Sequence, residues 1–343
     1  MKYMPADQPP ILVTGAAGFI GYHLCEKLLG AGKKVLGVDN LNSYYDQKLK
    51  EARLAQLSKH ANFTFAKVDI SDHGALAKAL TWTGMKQVVH LAGQAGVRYS
   101  ITNPHAYISS NVGGTTNILE ICREAKVEHL IFASSSSVYG ENTHTPFSTH
   151  DNVDHPVSVY AATKRSGELL AHAYAHLFAI PVTCLRFFSV YGPWGRPDMA
   201  YYSFTRAILD GQPIEIFNEG KMTRDFTYIS DIVECICRIL DKPPAANPSF
   251  NRREPDPATS WAPWCVYNIG NDNPVGLLDF VETLEKVLGK KAVKIMKPAQ
   301  PGDMTSNHAD VAELRRDFGF RPDTPLEDGL RRFAEWYRSY HQT

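Results

Sequence analysis

A phenol and an ammonium stand four residues apart in Tyr160-Ala161-Ala162-Thr163-Lys164, a spacing that puts both on one face of a helix. A free phenol ionises near pH ~10 and is a poor base at neutral pH. A lysine cation beside it would stabilise the phenolate and draw its pKa toward the working range. The pattern alone is weak, because surface helices produce it by chance. Ser134, Ser135, Ser136 and Ser137 strengthen it, since they follow the apolar run HLIFA (129–133). They then lie at the carboxyl end of a central strand, where open α/β sheets bind their ligands. Any one of them could instead cap a turn. Proton transfer to and from an alcohol is the chemistry this set supports.

A second set begins earlier. Gly15, Gly18 and Gly21 form a G-x-x-G-x-x-G run between the apolar ILVT (11–14) and a helical pattern opening at Phe19 and Ile20. The first glycine permits a tight turn, the second lets backbone approach a pyrophosphate, and the third lets helix pack on strand. The uncompensated N–H groups of the helix N-terminus suit the phosphates. Asp39 closes the next apolar run, where an acid accepts from a ribose 2′-hydroxyl; Asn40-Leu41-Asn42 follows it rather than an arginine. This combination favours NAD over NADP. Asp69 and Ile70, at the end of a third run, would border the adenine, although a solvated strand-end acid reads nearly as well. An oxidised nicotinamide would add to the pull of Lys164 on Tyr160.

Stepwise alternation of strand and helix must position these groups. ILVTG (11–15), KVLGVD (34–39), FTFAKVD (63–69), QVVHLAG (87–93), HLIFASS (129–135) and PVTCLRFF (181–188) read as strands. Helical patterns lie near 46–58, 72–82, 104–125 and 158–178. Their alternation predicts an α/β fold with a doubly wound parallel Rossmann sheet over 10–190. Later segments near 215–240 and 264–272 are expected to return to that domain. A smaller mixed α/β domain is expected from 191–214 and 273–343, with 241–264 as a Pro-rich surface loop.

The 343 residues allow about two domains. Lys and Arg number 36, as do Asp and Glu, so no electrostatic footprint for nucleic acid or an anionic membrane is present. Any phosphorylated ligand must be gripped by a few placed cations. Six scattered cysteines read as thiols in a reducing compartment. No stretch is long and apolar enough to span a membrane, the N-terminus lacks a signal-peptide pattern, and a cytoplasmic protein is expected. His90, His144, His150 and His155 have no metal-ligand spacing, so no metal is expected.

The glycine run, Ser135, Tyr160 and Lys164 together resemble the extended short-chain dehydrogenase/reductases that act on nucleotide sugars, over nearly the whole chain. HLAGQAGVRYS (90–100), ASSSSVYG (133–140), DNVDHPVSVYAATK (151–164), YGPWGRPDMA (191–200) and GKMTRDFTYISD (220–231) are more closely similar to UDP-glucuronate 4-epimerases. Gly93 departs from the alanine of that pattern. The resemblance implies reversible C4 epimerisation with bound NAD, Tyr160 as acid/base, Ser135 on the same oxygen and Lys164 on the nicotinamide ribose. Decarboxylating relatives carry a glutamate where Ser137 stands and an asparagine where Ser189 stands. Ser136, Ser137, Ser189 and Arg196, with Arg98 as a second cation, are therefore expected at the substrate carboxylate. Arg224 is expected on the UDP diphosphate, Phe217 and Gly220 near the uridine, and Asp303 near its ribose. The resemblance also implies a homodimer pairing through 104–125 and 158–178. The rival readings are UDP-glucuronate decarboxylase, UDP-glucose 4-epimerase and a non-catalytic NAD-binding sensor.

Overall fold

The computed structural model describes residues 9–80, 84–299 and 305–342. Asp303 lies outside them. The first half alternates β1 (Ile11–Thr14), α1 (Phe19–Gly30), β2 (Val35–Asp39), α2 (Gln47–Leu57), β3 (Phe63–Lys67), α3 (His73–Leu80) and β4 (Gln87–His90). Then come α4 (Tyr99–Thr102), α5 (Pro104–Tyr107), α6 (Thr115–Ala125), β5 (His129–Ser135), α7 (Val159–Phe178) and β6 (Val182–Phe187). The later elements are β7 (Ser189–Tyr191), α8 (Ala200–Leu209), β8 (Pro213–Ile216), β9 (Thr223–Tyr228) and α9 (Ile229–Leu240), followed by β10 (Trp264–Ile269) and β11 (Pro274–Gly276). The chain closes with α10 (Leu277–Leu288), β12 (Val293–Met296), α11 (Ala312–Phe318) and α12 (Leu326–His341).

Among the described residues, seven parallel strands form the main sheet in the order β10-β6-β5-β4-β1-β2-β3. The runs of β1, β2, β5 and β6 are buried on both faces, as a sheet covered by helices on each side requires. Ile11, Val13, Ile131 and Ala133 pack toward α1 and α9, whereas Leu12, Leu130 and Phe132 pack toward α3, α6 and α7. Register aligns the functional ends: Thr14 pairs with Val38 and His90, and Ser134 and Ser135 pair with Arg186 and Phe187.

β9 pairs with β7 and β11 in a separate three-stranded sheet, and β8 pairs with β12. α9, from the same stretch as β9, packs on α1, and β10 forms the sheet edge beside β6. The expected helix over 104–125 is interrupted by a π-helical segment over Ile108–Gly114. Gly113-Gly114 weakens helical propensity there, and the wider turn sends Asn111 inward, where it is buried.

One buried ion pair sets α7 against the sheet. The Glu168 carboxylate, fully buried, accepts from Arg186 Nε and Nη2 at 3.0 Å each, from Ser134 Oγ at 2.6 Å and from Arg165 Nη1 at 3.0 Å. Burial alone would raise its pKa, but Arg186 and these hydrogen bonds hold it below the ordinary range. Removing one partner from such a pair strands a charge in the interior. Glu168→Gln should therefore lower unfolding free energy by roughly 3 kcal/mol, read from the denaturant midpoint, and adding Arg186→Met should recover part of the loss.

Candidate active site

A single cleft runs along the carboxyl ends of the strands, from the β1–α1 turn to the β6–β7 and β9 segments. Gly15, Gly18, Phe19, Ile20, Gly21, Asp39 and Ile70 line one end; Ser135, Ser136, Ser137, Tyr160, Lys164, Ser189, Arg196 and Arg224 line the other.

At the first end, Gly15 has φ +71° and a Cβ there would sit 2.8 Å from Ala92 N; one on Gly21 would sit 2.0 Å from Gly15 O. Only bare backbone fits these contacts. No side chain caps α1, so its first-turn N–H groups remain available to an anion. The Asp39 carboxylate is fixed by Leu41 N at 2.8 Å and Ala17 N at 3.1 Å, and burial raises its pKa. The uncapped helix, the glycine cradle and the strand-end acid fit a dinucleotide. Asp69 differs from its neighbour Ile70: its carboxylate is taken up by Asn40, Ser71 N and Ser71 Oγ and does not line the cleft.

At the second end, Lys164 is buried and its Nζ donates to Ala133 O at 2.8 Å, beneath the Phe132 ring. Burial lowers its pKa to about 8, opposed by Glu168 one turn further on. Tyr160 is pushed up by burial and drawn back by a Ser135 hydrogen bond and the Arg196 charge, with Asp198 acting in the raising sense. The Arg196 guanidinium is thus a cation acting on the phenol here, while the Lys164 ammonium is hydrogen-bonded to the Ala133 carbonyl. Ser135 Oγ lies 3.2 Å from Ser137 Oγ and accepts from Ser137 N. Arg196 forms a two-point contact with Asp198, Nε at 3.0 Å and Nη2 at 2.5 Å, and Tyr44 OH donates to the same carboxylate. Arg224 Nη1 donates to Thr223 O at 2.8 Å.

Arg98 does not line the cleft; its guanidinium lies 4.8 Å from the centre of the Phe217 ring. Phe217 and Gly220 are likewise outside the lining. His90 is a buried tie between Thr14 Oγ1 and Thr115 Oγ1, with its pKa lowered to about 3 by burial and by Lys164. Among the described residues no group of three or more His, Cys, Asp or Glu could hold a metal. None of their helices is long and apolar enough to cross a membrane.

Several residues at the site carry no motif. Asn111 accepts from Gln94 N and donates to Gln94 O and Thr163 Oγ1, joining the β4 loop to α7. A Cβ on Gly93 would stand 2.8 Å from Asn111 Oδ1, so glycine there leaves room for this joint. Arg53, fully buried, donates to Ala17 O, Trp194 O and Gly195 O, tying the two ends of the cleft together. Asn307 reaches the cleft from the C-terminal third and donates to Ser136 Oγ. An isolated polar residue in a run such as Thr305-Ser306-Asn307-His308 gives no periodic signal from which to pick it out.

Comparison with known proteins gives the same assignment from another direction. Residues 11–251 match the NAD dependent epimerase/dehydratase family. The chain is 53% identical to Protein CapI of Staphylococcus aureus, covering 97% of this chain and 99% of that one. It is 46% identical to the probable UDP-glucuronate 4-epimerase of Rhizobium meliloti, over 95% and 96% of the two chains. The crystal structure of UDP-glucuronic acid 4-epimerase from Bacillus cereus with UDP-glucuronic acid and NAD superposes with a TM-score of 0.83 at 34% identity, covering 96% and 99%. The cleft's glycine turn, strand-end acid, serines and Tyr–Lys helix are thus carried by a chain that belongs to the NAD dependent epimerase/dehydratase family.

Proposed function

We propose that this protein interconverts UDP-glucuronate and UDP-galacturonate by reversible oxidation at C4, in the cytoplasm, as a homodimer. The observation that carries the reading is the convergence of Ser135, Tyr160 and Lys164 with Ser136, Ser137, Ser189 and Arg196 on one cleft that also holds the dinucleotide cradle. NAD, when bound, supplies a reversible hydride acceptor for the sugar C4. Gly15, Gly18, Gly21 and the α1 N-terminus hold its pyrophosphate, Asp39 its adenosine ribose, and Ile70 borders its adenine. Tyr160 takes the 4-hydroxyl proton and returns it after the sugar has presented its other face. Ser135 hydrogen-bonds the same oxygen. Lys164 holds the second ribose, and Arg224 matches the diphosphate oxygens.

A 4-keto uronate is a β-keto acid and loses CO2 readily when its C5–C6 bond aligns with the carbonyl π system. Ser136, Ser137, Ser189 and Arg196 keep the carboxylate charged and hydrogen-bonded, which holds that bond out of alignment. Exposed Ile108 on the π-helical segment, and Leu169, Leu177 and Phe178 on α7, support pairing of the two long helical segments between subunits. The six cysteines are free, which suits a reducing compartment.

Proton NMR of the protein with UDP-glucuronate and NAD tests the activity: a growing UDP-galacturonate anomeric signal is expected. A UDP-pentose product would instead mark a decarboxylase, and turnover of UDP-glucose alone a hexose epimerase. Tyr160→Phe should lower the rate by roughly 10²–10⁴-fold while the folded protein still retains NAD. Ser189→Leu should raise CO2 release. Lys164 binds its proton less tightly when folded, so between pH 8 and 10.5 the unfolded chain holds more protons and wild-type stability rises with pH. Relative to Lys164→Met, the cofactor-free wild type should gain up to about 3 kcal/mol across that window, measured by paired denaturation curves.

A further inference from the structure

Asn307 lies far along the chain from the catalytic serines and tyrosine, yet its side chain lines the same cleft. It is 7% exposed. Its Nδ2 donates to Ser136 Oγ at 3.1 Å, and its Oδ1 is buried without a hydrogen-bond partner among the described residues. The backbone that delivers it is held on both sides. Phe147 N donates to His308 O at 2.8 Å, Asp310 N donates to Phe147 O at 3.0 Å, and Ala309 N donates to Asp225 Oδ2 at 3.1 Å.

Two consequences follow from donor and acceptor counting. A serine hydroxyl has one proton and two lone pairs. Since Ser136 Oγ accepts from Asn307, its own proton remains to be donated, and Ser136 also lines the cleft. An orphaned buried amide oxygen is costly to desolvate, and a ligand hydroxyl entering the cleft would satisfy it.

We infer that Asn307 is a substrate-positioning residue of the uronate site: through Nδ2 it turns the Ser136 proton toward the sugar carboxylate, and through Oδ1 it accepts from a hydroxyl of the same sugar. This rests on the reading of the cleft as a UDP-uronate site. It makes Ser136 a donor to an anion by geometry rather than by chance of rotor position. Asn307 is thereby a determinant of uronate over neutral hexose.

Asn307→Asp keeps the shape but replaces the donor with an acceptor-only carboxylate, so Ser136 must give its proton to residue 307. Dissociation constants for UDP-glucuronate and UDP-glucose are measured on the NAD-loaded enzyme by calorimetry, with the thermal midpoint followed alongside. Asn307→Asp is expected to weaken UDP-glucuronate at least tenfold more than UDP-glucose. Ser136→Ala is expected to weaken UDP-glucuronate severalfold in the wild type but to add little in the Asn307→Asp background. Should Asn307→Asp not fold, Asn307→Ala serves, with both ligands weakened and the uronate the more. Equal weakening of the two ligands, or additive effects of the Ser136 and Asn307 changes, would overturn the role of Asn307 while leaving the epimerase reading intact. A wild-type enzyme that neither binds nor turns over UDP-glucuronate would overturn both.

Discussion

The site depends first on the carboxylate of Glu168. It lies in the interior between α7 and the sheet, where a lone charge would be untenable, and it is held there by Arg186 from β6, Arg165 from α7 and Ser134 from β5. Tyr160 and Lys164 stand two turns and one turn before it on the same helix, and Ser135 directly follows Ser134 on the strand. The ion pair therefore fixes the phenol and ammonium relative to Ser135. Hydrophobic packing is non-directional and tolerates small slides of helix on sheet; a satisfied multi-point contact around a buried charge does not.

That contact continues across the molecule. Arg186 Nη1 donates to Tyr139 OH, and Tyr139 OH donates to Asn268 Oδ1 on β10. Asn268 Nδ2 donates to the carbonyls of Phe147 and Asp310. The turn after β5, the sheet edge and the segment that carries Asn307 are thus joined by one chain of hydrogen bonds. At the other end Arg53 performs the corresponding task, spanning the glycine turn and the Trp194–Gly195 backbone just before Arg196. These ties anchor the loops that line the cleft to buried side chains of α2 and β10.

Electrostatics inside the cleft follow from burial more than from net charge. The chain is balanced overall, yet Tyr160 and Lys164 are both displaced toward their neutral forms by desolvation. Arg196 answers Asp198 with two contacts, and Tyr44 holds the far side of that carboxylate. A pre-formed guanidinium of this kind offers an anion an oriented partner at little cost in side-chain entropy.

What the sequence determined by itself is everything that local chemistry and period dictate. The glycine turn, Asp39 at a strand end, the serine run and the Tyr160–Lys164 face are short-range patterns, and buried strands in alternation with helices announce a parallel sheet. Tertiary structure alone decided which long-range partners those groups meet. The Lys164 ammonium met the Ala133 carbonyl, since a helix face specifies direction but not the strand end it will find. Arg98 settled on Phe217, off the cleft, and Asp69 on Asn40 and its own turn. Asn111 became a joint only because a π-helical turn carried it inward. Asn307 reached Ser136 across 171 positions of chain; no period or spacing encodes a meeting at that separation, which exists only once β10 and the segment after it have closed on the sheet.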